Sequence, residues 1–382
     1  MTHKPGKALV EHPGVFILDE LDARGWAQKD LAYILGTSPQ QLNRILSGKG
    51  NITPEFALAL GDAFDVSAEF FSNLQKLYDL SHAKKPDIGV RTRASWASEF
   101  PIRKMIERRW IVDTDSGLLD AQMLRFFGKN SMNDVPFVGD GLVYVHAAKK
   151  ADYSKTTPSQ YVWLHRVKKM AESFDAPIYS ETALRDSLPE LRRHMLSKAD
   201  IGQIPHILRK CGVRFLLIES LPNTKIDGVC LWLDDQPVIA MTTLHDRMDN
   251  FCFVLRHEIE HVLNGDGKEE SYSPIDSMDG NLRLNADDIN EQEARANNAA
   301  AEFLIPRDKL LSFYDRKAPF ISERDVLAFA ARHEIHPAIA VGQIQYLSEK
   351  YNWLRKYLKG VRQYLGEWEY RDGWGYATPT EL

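Results

Sequence analysis

One stretch, Arg256-His257-Glu258-Ile259-Glu260-His261, constrains this chain more than any other. His257, Glu258 and His261 fit the pattern H-E-x-x-H. In an α-helix, residues four apart lie one turn above each other on the same face, so His257 and His261 can bind one metal ion. Glu258 then lies beside that ion, where it can take a proton from a water molecule. So short a pattern also arises by chance on a solvated helix. Whether it is a metal site therefore depends on a buried setting and on a third ligand.

The flanks of the motif favour a buried helix next to a small sheet. Apolar residues recur at helical spacing from Phe251 to Leu263, and Gly265 supplies a helix end. The strands predicted before this helix cover residues 213–218, 228–233 and 238–241. An edge strand beside such a helix can pair with an extended peptide.

A third metal ligand is predicted downstream, after an irregular acidic loop that extends to residue 290. A helix is expected from about residue 290 to residue 305, and Glu293 shares one face of it with Ala296 and Ala300. A catalytic zinc usually keeps three protein ligands and one water. Glu293 is therefore the favoured third ligand and Glu291 the weaker candidate. The alternative is that these glutamates form an ordinary solvated face.

Residues 12–80 are predicted to form a compact set of helices. The second helix is expected at 26–35 and the third at 39–46, with Ser38 as the N-cap of the third. Two short helices joined by a tight glycine turn, the second rich in amide and basic side chains, indicate a helix-turn-helix. The alternative is a plain helical bundle with a polar surface.

The third helix carries the side chains that suit DNA recognition. Those that can read base edges in a major groove are Gln40, Gln41, Asn43 and Arg44. Residues better placed for phosphates are Gln28, Lys49 and Asn51, and Ser38 completes the predicted DNA-binding set. Residues 1–80 hold seven Lys or Arg against ten Asp or Glu, so specific contacts and dimerisation would have to carry affinity. Residues 81–110 hold eight Lys or Arg against three Asp or Glu and could supply the positive charge that the first 80 residues lack.

The composition is that of an ordinary globular protein. Of 382 residues, 44% are hydrophobic and 26% charged, and the net charge of −5 argues against general coating of nucleic acid. Neither a membrane-spanning apolar run nor a signal-peptide apolar region is found, so a cytoplasmic location is expected. The three cysteines, Cys211, Cys230 and Cys252, are read as buried small apolar residues.

The middle and the end of the chain are less informative. A linker is expected at 84–87 and a basic amphipathic helix at 100–111. Further helices are predicted within 118–128, 158–175 and 191–211. The segment 346–382 is rich in Trp and Tyr, and packing on the core is favoured over covering a cleft or contacting a partner.

The N-terminal region resembles the HigA-type branch of the Xre helix-turn-helix family. The resemblance rests on Trp26-Ala27-Gln28-Lys29-Asp30-Leu31-Ala32, Leu42-Asn43-Arg44-Ile45-Leu46-Ser47-Gly48, Ile52-Thr53-Pro54-Glu55-Phe56-Ala57 and the stretch 67–75. It implies a DNA-binding repressor, and members of this branch include antitoxins that regulate their own operon.

The C-terminal half resembles the ImmA/IrrE family of metallopeptidases. The matching strings are Pro237-Val238-Ile239, His257-Glu258-x-x-His261, Glu293-x-x-Ala296-Asn297, Ala300-x-x-Phe303-Leu304-Ile305-Pro306 and the stretch 335–342. The resemblance implies that zinc is held by His257, His261 and Glu293, with Glu258 as general base, and that a partner repressor is cleaved. Peptide hydrolysis passes through a tetrahedral intermediate with a negatively charged oxygen, and Tyr272 and His336 are open candidates for stabilising this oxyanion.

Three residues depart from the usual pattern of that family. Arg256 stands where a small residue is common, Glu260 where glycine is common, and Ala299 where an aromatic residue is common. Glutamate at position 260 could obstruct the approach of another backbone or place negative charge beside the metal. Metal binding is still expected despite these departures. What they call into question is turnover by the peptidase.

The expected fold is therefore α+β and mostly helical. The expected parts are a helix-turn-helix domain at 12–80, a helical connector at 86–205, a zincin-like domain with a small sheet at 206–345, and an aromatic-rich extension at 346–382. The expected function is that of a repressor resembling an antitoxin, which carries a zinc endopeptidase acting on a partner regulator or on itself. The alternative is a repressor whose zinc domain only binds a partner or senses a signal. Expected partners are operator DNA, a cognate toxin or repressor, and a second copy in a homodimer.

Overall fold

A computed structural model of the chain describes residues 10–85, 87, 89–112, 116–135, 157–196, 200–266, 268, 291–358, 360–365 and 370–378. Contacts divide the chain into two compact units, Met1–Asp87 and Ile88–Leu382. The fold is α+β and mostly helical, as predicted. None of the described helices is long and apolar enough to cross a membrane.

The first unit is a set of short helices around one apolar core. Its described helices are α1 Pro13–Arg24, α2 Gln28–Ile34, α3 Pro39–Leu46, α4 Pro54–Phe64 and α5 Ala68–His82. Ser38 and Thr53 begin α3 and α4, because each hydroxyl accepts a hydrogen bond from a backbone N–H of the first turn and proline follows it. The fully buried Ile17, Leu31 and Leu42 tie the first three helices together.

The second helix is shorter than the expected 26–35. It begins after Ala27, whose backbone N–H donates to the carboxylate of Asp30 at 2.8 Å. Trp26 lies before the helix, with its ring stacked on Phe64 at a centroid distance of 6.0 Å. The indole therefore packs against Phe64 at the end of α4.

The second unit combines helices with one sheet. Its described helices are α6 Gly89–Glu99, α7 Ile102–Glu107, α8 Ser116–Phe127, α9 Pro158–Glu172, α10 Glu181–Leu196, α11 Ile204–Lys210, α12 Met248–Asn264, α13 Glu291–Leu304, α14 Arg307–Lys317, α15 Glu323–Arg332 and α16 Pro337–Ser348. Its strands are β1 Arg214–Ile218, β2 Gly228–Leu233, β3 Gln236–Met241 and β4 Arg371–Asp372. One hydrophobic core joins residues from Trp96 to Leu365. The division into connector, zincin-like domain and extension stays a prediction.

The sheet has the strand order β2-β3-β1-β4. Strand β1 is parallel to both β3 and β4, whereas β2 and β3 form an antiparallel hairpin. The turn at 234–235 closes this hairpin and leaves β2 at one edge of the sheet. Helix α12 packs against β2 and β3, which brings the H-E-x-x-H helix beside the edge strand.

The basic helix expected at 100–111 was wrong in extent. Only Ile102–Glu107 is helical, and Arg109 has a positive φ of 58°. This turn directs Trp110 and Ile111, which are 2% and 4% exposed, into the core. Apolar burial thus overrides the helical pattern. The helix α6 at Gly89–Glu99 was not predicted.

Where the structure describes it, the C-terminal segment packs on the rest of the second unit. Its short strand β4 pairs with β1, and Asp372 is completely buried. The carboxylate of Asp372 accepts hydrogen bonds from Trp110 Nε1 at 3.0 Å and from Arg166 Nε at 2.8 Å. Packing on the core, the favoured alternative, is confirmed for these residues, and Trp368 lies outside the described residues.

Candidate functional site

Helix α12 carries both histidines of the motif into the interior. It ends at Gly265, whose φ of 69° is a left-handed conformation that suits glycine. His257 and His261 are both fully buried. The apolar stripe of α12 packs on the sheet, so the polar side chains of the motif lie in a shielded environment.

The structure brings Glu293 of α13 to these two histidines. The Nε2 atoms of His257 and His261 lie 3.0 Å apart. A carboxylate oxygen of Glu293 lies 3.3 Å from Nε2 of His257, and the other lies 3.2 Å from Nε2 of His261. One ligand atom from each residue falls within 4.8 Å of the others. Glu291, the weaker candidate, is exposed and is not one of the three clustered residues.

Two neighbours orient the imidazole rings. Nδ1 of His257 lies 3.0 Å from Oδ1 of Asn297, and Nδ1 of His261 lies 2.9 Å from Oδ2 of Asp266. Both oxygens only accept hydrogen bonds, so each Nδ1 donates, and Nε2 is the nitrogen of each ring that would bind a metal. The sequence reasoning missed these roles, although Asn297 is one helical turn after Glu293.

Asp266 is itself held from several sides. Arg295 of α13 donates to both of its carboxylate oxygens, at 2.8 and 3.0 Å. The backbone carbonyl of Asp266 accepts a hydrogen bond from Nε1 of Trp232 on β2 at 2.7 Å. The residue therefore links helix α12, helix α13 and the edge strand.

The charges around the cluster favour a cation. Burial alone lowers the pKa of His261, but hydrogen bonding to Glu293 and the charge of Glu258, followed by Asp266, raise it to about 9. Burial raises the pKa of Glu258, and the charges of the two histidines oppose this shift. Three carboxylates around two imidazoles thus create a site that stabilises positive charge.

Glu258 lies against the start of the edge strand. A Cβ added at Gly228 would be 2.7 Å from Oε1 of Glu258 and 2.6 Å from Cγ1 of Val254. Only glycine lets the strand pass so close to this helix. Glu258 is 3% exposed, so its carboxylate lies between the helix and the strand beside the histidine pair.

The two unusual residues of the motif pair with each other. Arg256 donates to Glu260 at 2.8 Å, and its guanidinium lies 5.2 Å from the centre of the Phe303 ring. Asn264 also donates to the Glu260 carboxylate, at 3.0 Å. Burial raises the pKa of Glu260, but the hydrogen bonds from Arg256 and Asn264 bring it below its ordinary value. The negative charge at position 260 is therefore compensated on its own side of the helix.

The donor set fits a zinc ion. Donors bonded at about 2.0–2.2 Å in a tetrahedral site lie roughly 3.3–3.5 Å apart, close to the separations observed. Two imidazoles and one carboxylate are also the ligand types of catalytic zinc. Of the residues considered for the oxyanion, His336 caps α16 by accepting from the N–H of Ala338 at 3.1 Å, and Tyr272 lies outside the described residues, as does most of the acidic loop.

The first unit presents a polar surface on helix α3. The apolar side of that helix, Leu42, Ile45 and Leu46, is buried. The exposed residues of the predicted DNA-binding set are Gln28, Ser38, Gln40, Gln41, Asn43, Arg44 and Lys49, and Asn51 is exposed as well. Ser38 accepts the backbone N–H of Gln41 at 3.2 Å and so fixes the start of the helix. The individual DNA contacts stay predictions.

Comparison with known families matches both units. Residues 17–71 match a helix-turn-helix model, and residues 212–341 match the model of a peptidase family described as IrrE N-terminal-like domain. The second match contains the strands β1 to β3 and all residues of the candidate metal centre.

Two individual proteins are similar to the N-terminal region. An uncharacterised HTH-type transcriptional regulator, YddM of Escherichia coli (strain K12), is 32% identical over 73 residues, which are 19% of this chain and 78% of that protein. A HigA-family addiction module antidote protein from Coxiella burnetii is 26% identical over 27% of this chain and 97% of its own, with a TM-score of 0.18. The chain belongs to the HTH-type transcriptional regulators, and an IrrE N-terminal-like domain follows the helix-turn-helix in its sequence.

Proposed function

We propose that this DNA-binding regulator is also a zinc-dependent endopeptidase that cleaves a partner regulatory protein or itself. The observation that carries the proposal is the cluster of His257, His261 and Glu293, with Glu258 buried beside it. The hydrogen bonds from Nδ1 to Asn297 and Asp266 add support, because a merely structural histidine pair has no need of aligned Nε2 lone pairs.

Zinc would be held by the two Nε2 atoms and the Glu293 carboxylate, and when bound it supplies a Lewis acid that lowers the pKa of water to about 7. Glu258 accepts the proton of the attacking water and then delivers it to the leaving amine. Its position against Gly228 keeps the carboxylate next to the edge of the sheet. The group that transfers the proton would therefore lie next to the strand that binds the peptide.

The substrate would bind as an extended segment along β2. Among the described strands, β2 pairs only with β3, so its other edge is available for backbone hydrogen bonds. Hydrogen bonds of this kind accept many sequences, which suits an enzyme that cuts an exposed stretch of a protein. A partner repressor or a cognate toxin is the proposed class of substrate, with the chain itself as a further one.

The departure at Glu260 does not weigh against turnover. Its charge is paired with Arg256, and its carboxylate contacts Asn264 on the same side of α12. This observation favours the enzyme over a zinc domain that only binds a partner. In that alternative the protein is a repressor or antitoxin without catalysis.

The test is cleavage of candidate partners encoded next to the gene, with and without a chelator. The wild-type protein and Glu258→Gln are compared, because the substitution removes the base while both histidines and Glu293 remain. Chelator-sensitive cleavage that is lost in Glu258→Gln supports the enzyme. Cleavage that continues unchanged in Glu258→Gln contradicts it, and zinc binding without any cleavage favours the alternative.

The proposed DNA partner is the operator of the protein's own gene, bound by a homodimer in the cytoplasm. Arg44 is exposed on α3 while its neighbour Ile45 is buried, so Arg44→Ala should weaken binding without disturbing the core. A gel shift on the upstream region measures this, with the exposed Lys76→Ala on α5 as the matched control. Equal binding by Arg44→Ala and wild type would contradict the assignment.

A further inference from the structure

A second acidic residue lies along the face of α12 that carries Glu258. Asn250, Val254 and Glu258 are four residues apart and therefore share one side of the helix. Gly228 packs on Val254 and Glu258, and the residue before it, Asp227, accepts a hydrogen bond from Nδ2 of Asn250 at 3.3 Å. The charge of Asp227 also contributes to the raised pKa of Glu258, which reflects their proximity.

The carboxylate of Asp227 is buried and incompletely paired. The residue is 5% exposed, and among the described residues one side chain donates to its carboxylate: Nδ2 of Asn250 donates to Oδ1 of Asp227. Burial raises the pKa of Asp227 above its ordinary value, and the charge of His245 and the hydrogen bond from Asn250 offset only part of this shift. Burying a carboxylate costs free energy, and the neighbouring charge and the single hydrogen bond offset only part of that cost, so the arrangement calls for an explanation.

The backbone around Asp227 is held by the β2–β3 hairpin. Its carbonyl accepts a hydrogen bond from the N–H of Thr242 at 2.9 Å, and the next residue, Gly228, pairs with Met241 across the β2–β3 hairpin. The hydroxyl of Thr242 donates to the carbonyl of Ile226 at 2.6 Å. The backbone of Asp227 is therefore fixed at the start of the edge strand, and the hydrogen bond from Asn250 orients its carboxylate, as in a preorganised binding group.

We propose that Asp227 forms a subsite that takes a Lys or Arg side chain of the peptide close to the bond that is cut. A peptide aligned on β2 passes Gly228 and hence Glu258, so a neighbouring side chain reaches the Asp227 carboxylate. A guanidinium or ammonium would add charge-assisted hydrogen bonds to the Asp227 carboxylate. The inference rests on the proposed peptidase function and adds a preference for basic residues.

Binding of short hydroxamates to the zinc-loaded protein tests this subsite. The probes carry arginine, lysine or the uncharged norleucine, on either side of the metal-binding group, and isothermal titration calorimetry measures their Kd. In the wild-type protein, one arginine probe should bind roughly ten- to a hundredfold more tightly than its norleucine counterpart. In Asp227→Asn this ratio should fall to near one, whereas Asp235→Asn, at the exposed turn of the same hairpin, should keep it.

The outcomes separate the subsite from the proposed function. If arginine and norleucine probes bind the wild-type protein equally well on both sides, the subsite is refuted while the metal centre stands. If no hydroxamate binds the zinc-loaded protein, the peptidase proposal fails and the subsite fails with it. Should Asp227→Asn not fold, Asp227→Glu replaces it, and an unchanged order of arginine and lysine probes in that variant would overturn the assignment.

Discussion

Replacing Asp266 with asparagine tests how the second histidine of the proposed metal centre is held. The carboxylate of Asp266 accepts from Nδ1 of His261 at 2.9 Å and from Arg295 at 2.8 and 3.0 Å. Asparagine keeps the shape of the side chain but removes the negative charge and one acceptor. The backbone carbonyl that holds Trp232 is unchanged, so the turn itself should stay in place.

The expected loss is in metal affinity. Replacing a group that orients a metal-binding histidine typically weakens binding about 10–100-fold, or roughly 1.4–2.7 kcal/mol. The upper part of this range is expected, because Asp266 is 7% exposed and its hydrogen bond to a buried imidazole is charge-assisted. Asn297→Ala should also weaken zinc binding, through His257. The loss of affinity should be smaller, because the group that is removed is a neutral amide.

Competition with a chromophoric zinc chelator at fixed pH measures these changes. Asp235→Asn serves as the control, because Asp235 is 99% exposed at the hairpin turn and lies outside the clustered ligands. Circular dichroism of each metal-free variant checks that the helices are intact. A zinc Kd for Asp266→Asn within twofold of the wild-type value would refute the role assigned to this residue.

Three further outcomes follow from the same contacts. Gly228→Ala places a Cβ 2.7 Å from Glu258 Oε1 and should cost about 1–3 kcal/mol, so an unchanged denaturation midpoint would contradict the close approach. Asp372→Ala removes the carboxylate that pairs with the buried guanidinium of Arg166 and should cost about 3–5 kcal/mol in urea unfolding; a loss below 1 kcal/mol would argue against the buried pair. In the metal-free protein the folded state raises the pKa of His261 to about 9, so this stabilisation is complete below about pH 6.5 and is lost as the pH rises through 9. Thermal melts across that range should show a steeper decline for wild type than for His261→Gln, and equal slopes would contradict the shift.

The local pattern of the sequence was enough to predict the elements that carry the site. Helix α12 follows from apolar periodicity and from Gly265, and the strands β1 to β3 follow from short apolar runs with turn residues between them. Glu293 could be proposed because Ala296 and Ala300, on the same helix face, allow two helices to approach closely. Both are fully buried in the structure.

Contacts between distant parts of the chain could not be predicted in this way. Strand β4 is only Arg371–Asp372, and its buried carboxylate is paired with Trp110 and Arg166, which come far earlier in the sequence. A buried aspartate has no sequence signal of its own, because its burial depends on partners that only the fold brings near. The same holds for Asp227, whose place beside Glu258 depends on how β2 crosses α12.

The role of Glu260 shows how far a motif alone can mislead. A glutamate beside the second histidine could have faced the metal, and the family pattern offers no partner for it. The partner is Arg256, four residues earlier and itself a departure from that pattern. Residues four apart on a helix interact, so the two departures could have been recognised together as one ion pair.

The zinc content of the purified protein tests the central claim most directly. Wild type and Glu258→Gln, dialysed against excess zinc and then against buffer, should each retain one zinc per chain, because Glu258 is not a ligand. Glu293→Ala should lose most of its zinc under the same treatment, because this variant lacks one of the three protein donors. One zinc per chain in Glu293→Ala, or none in the wild type, would contradict the metal centre proposed for this regulator.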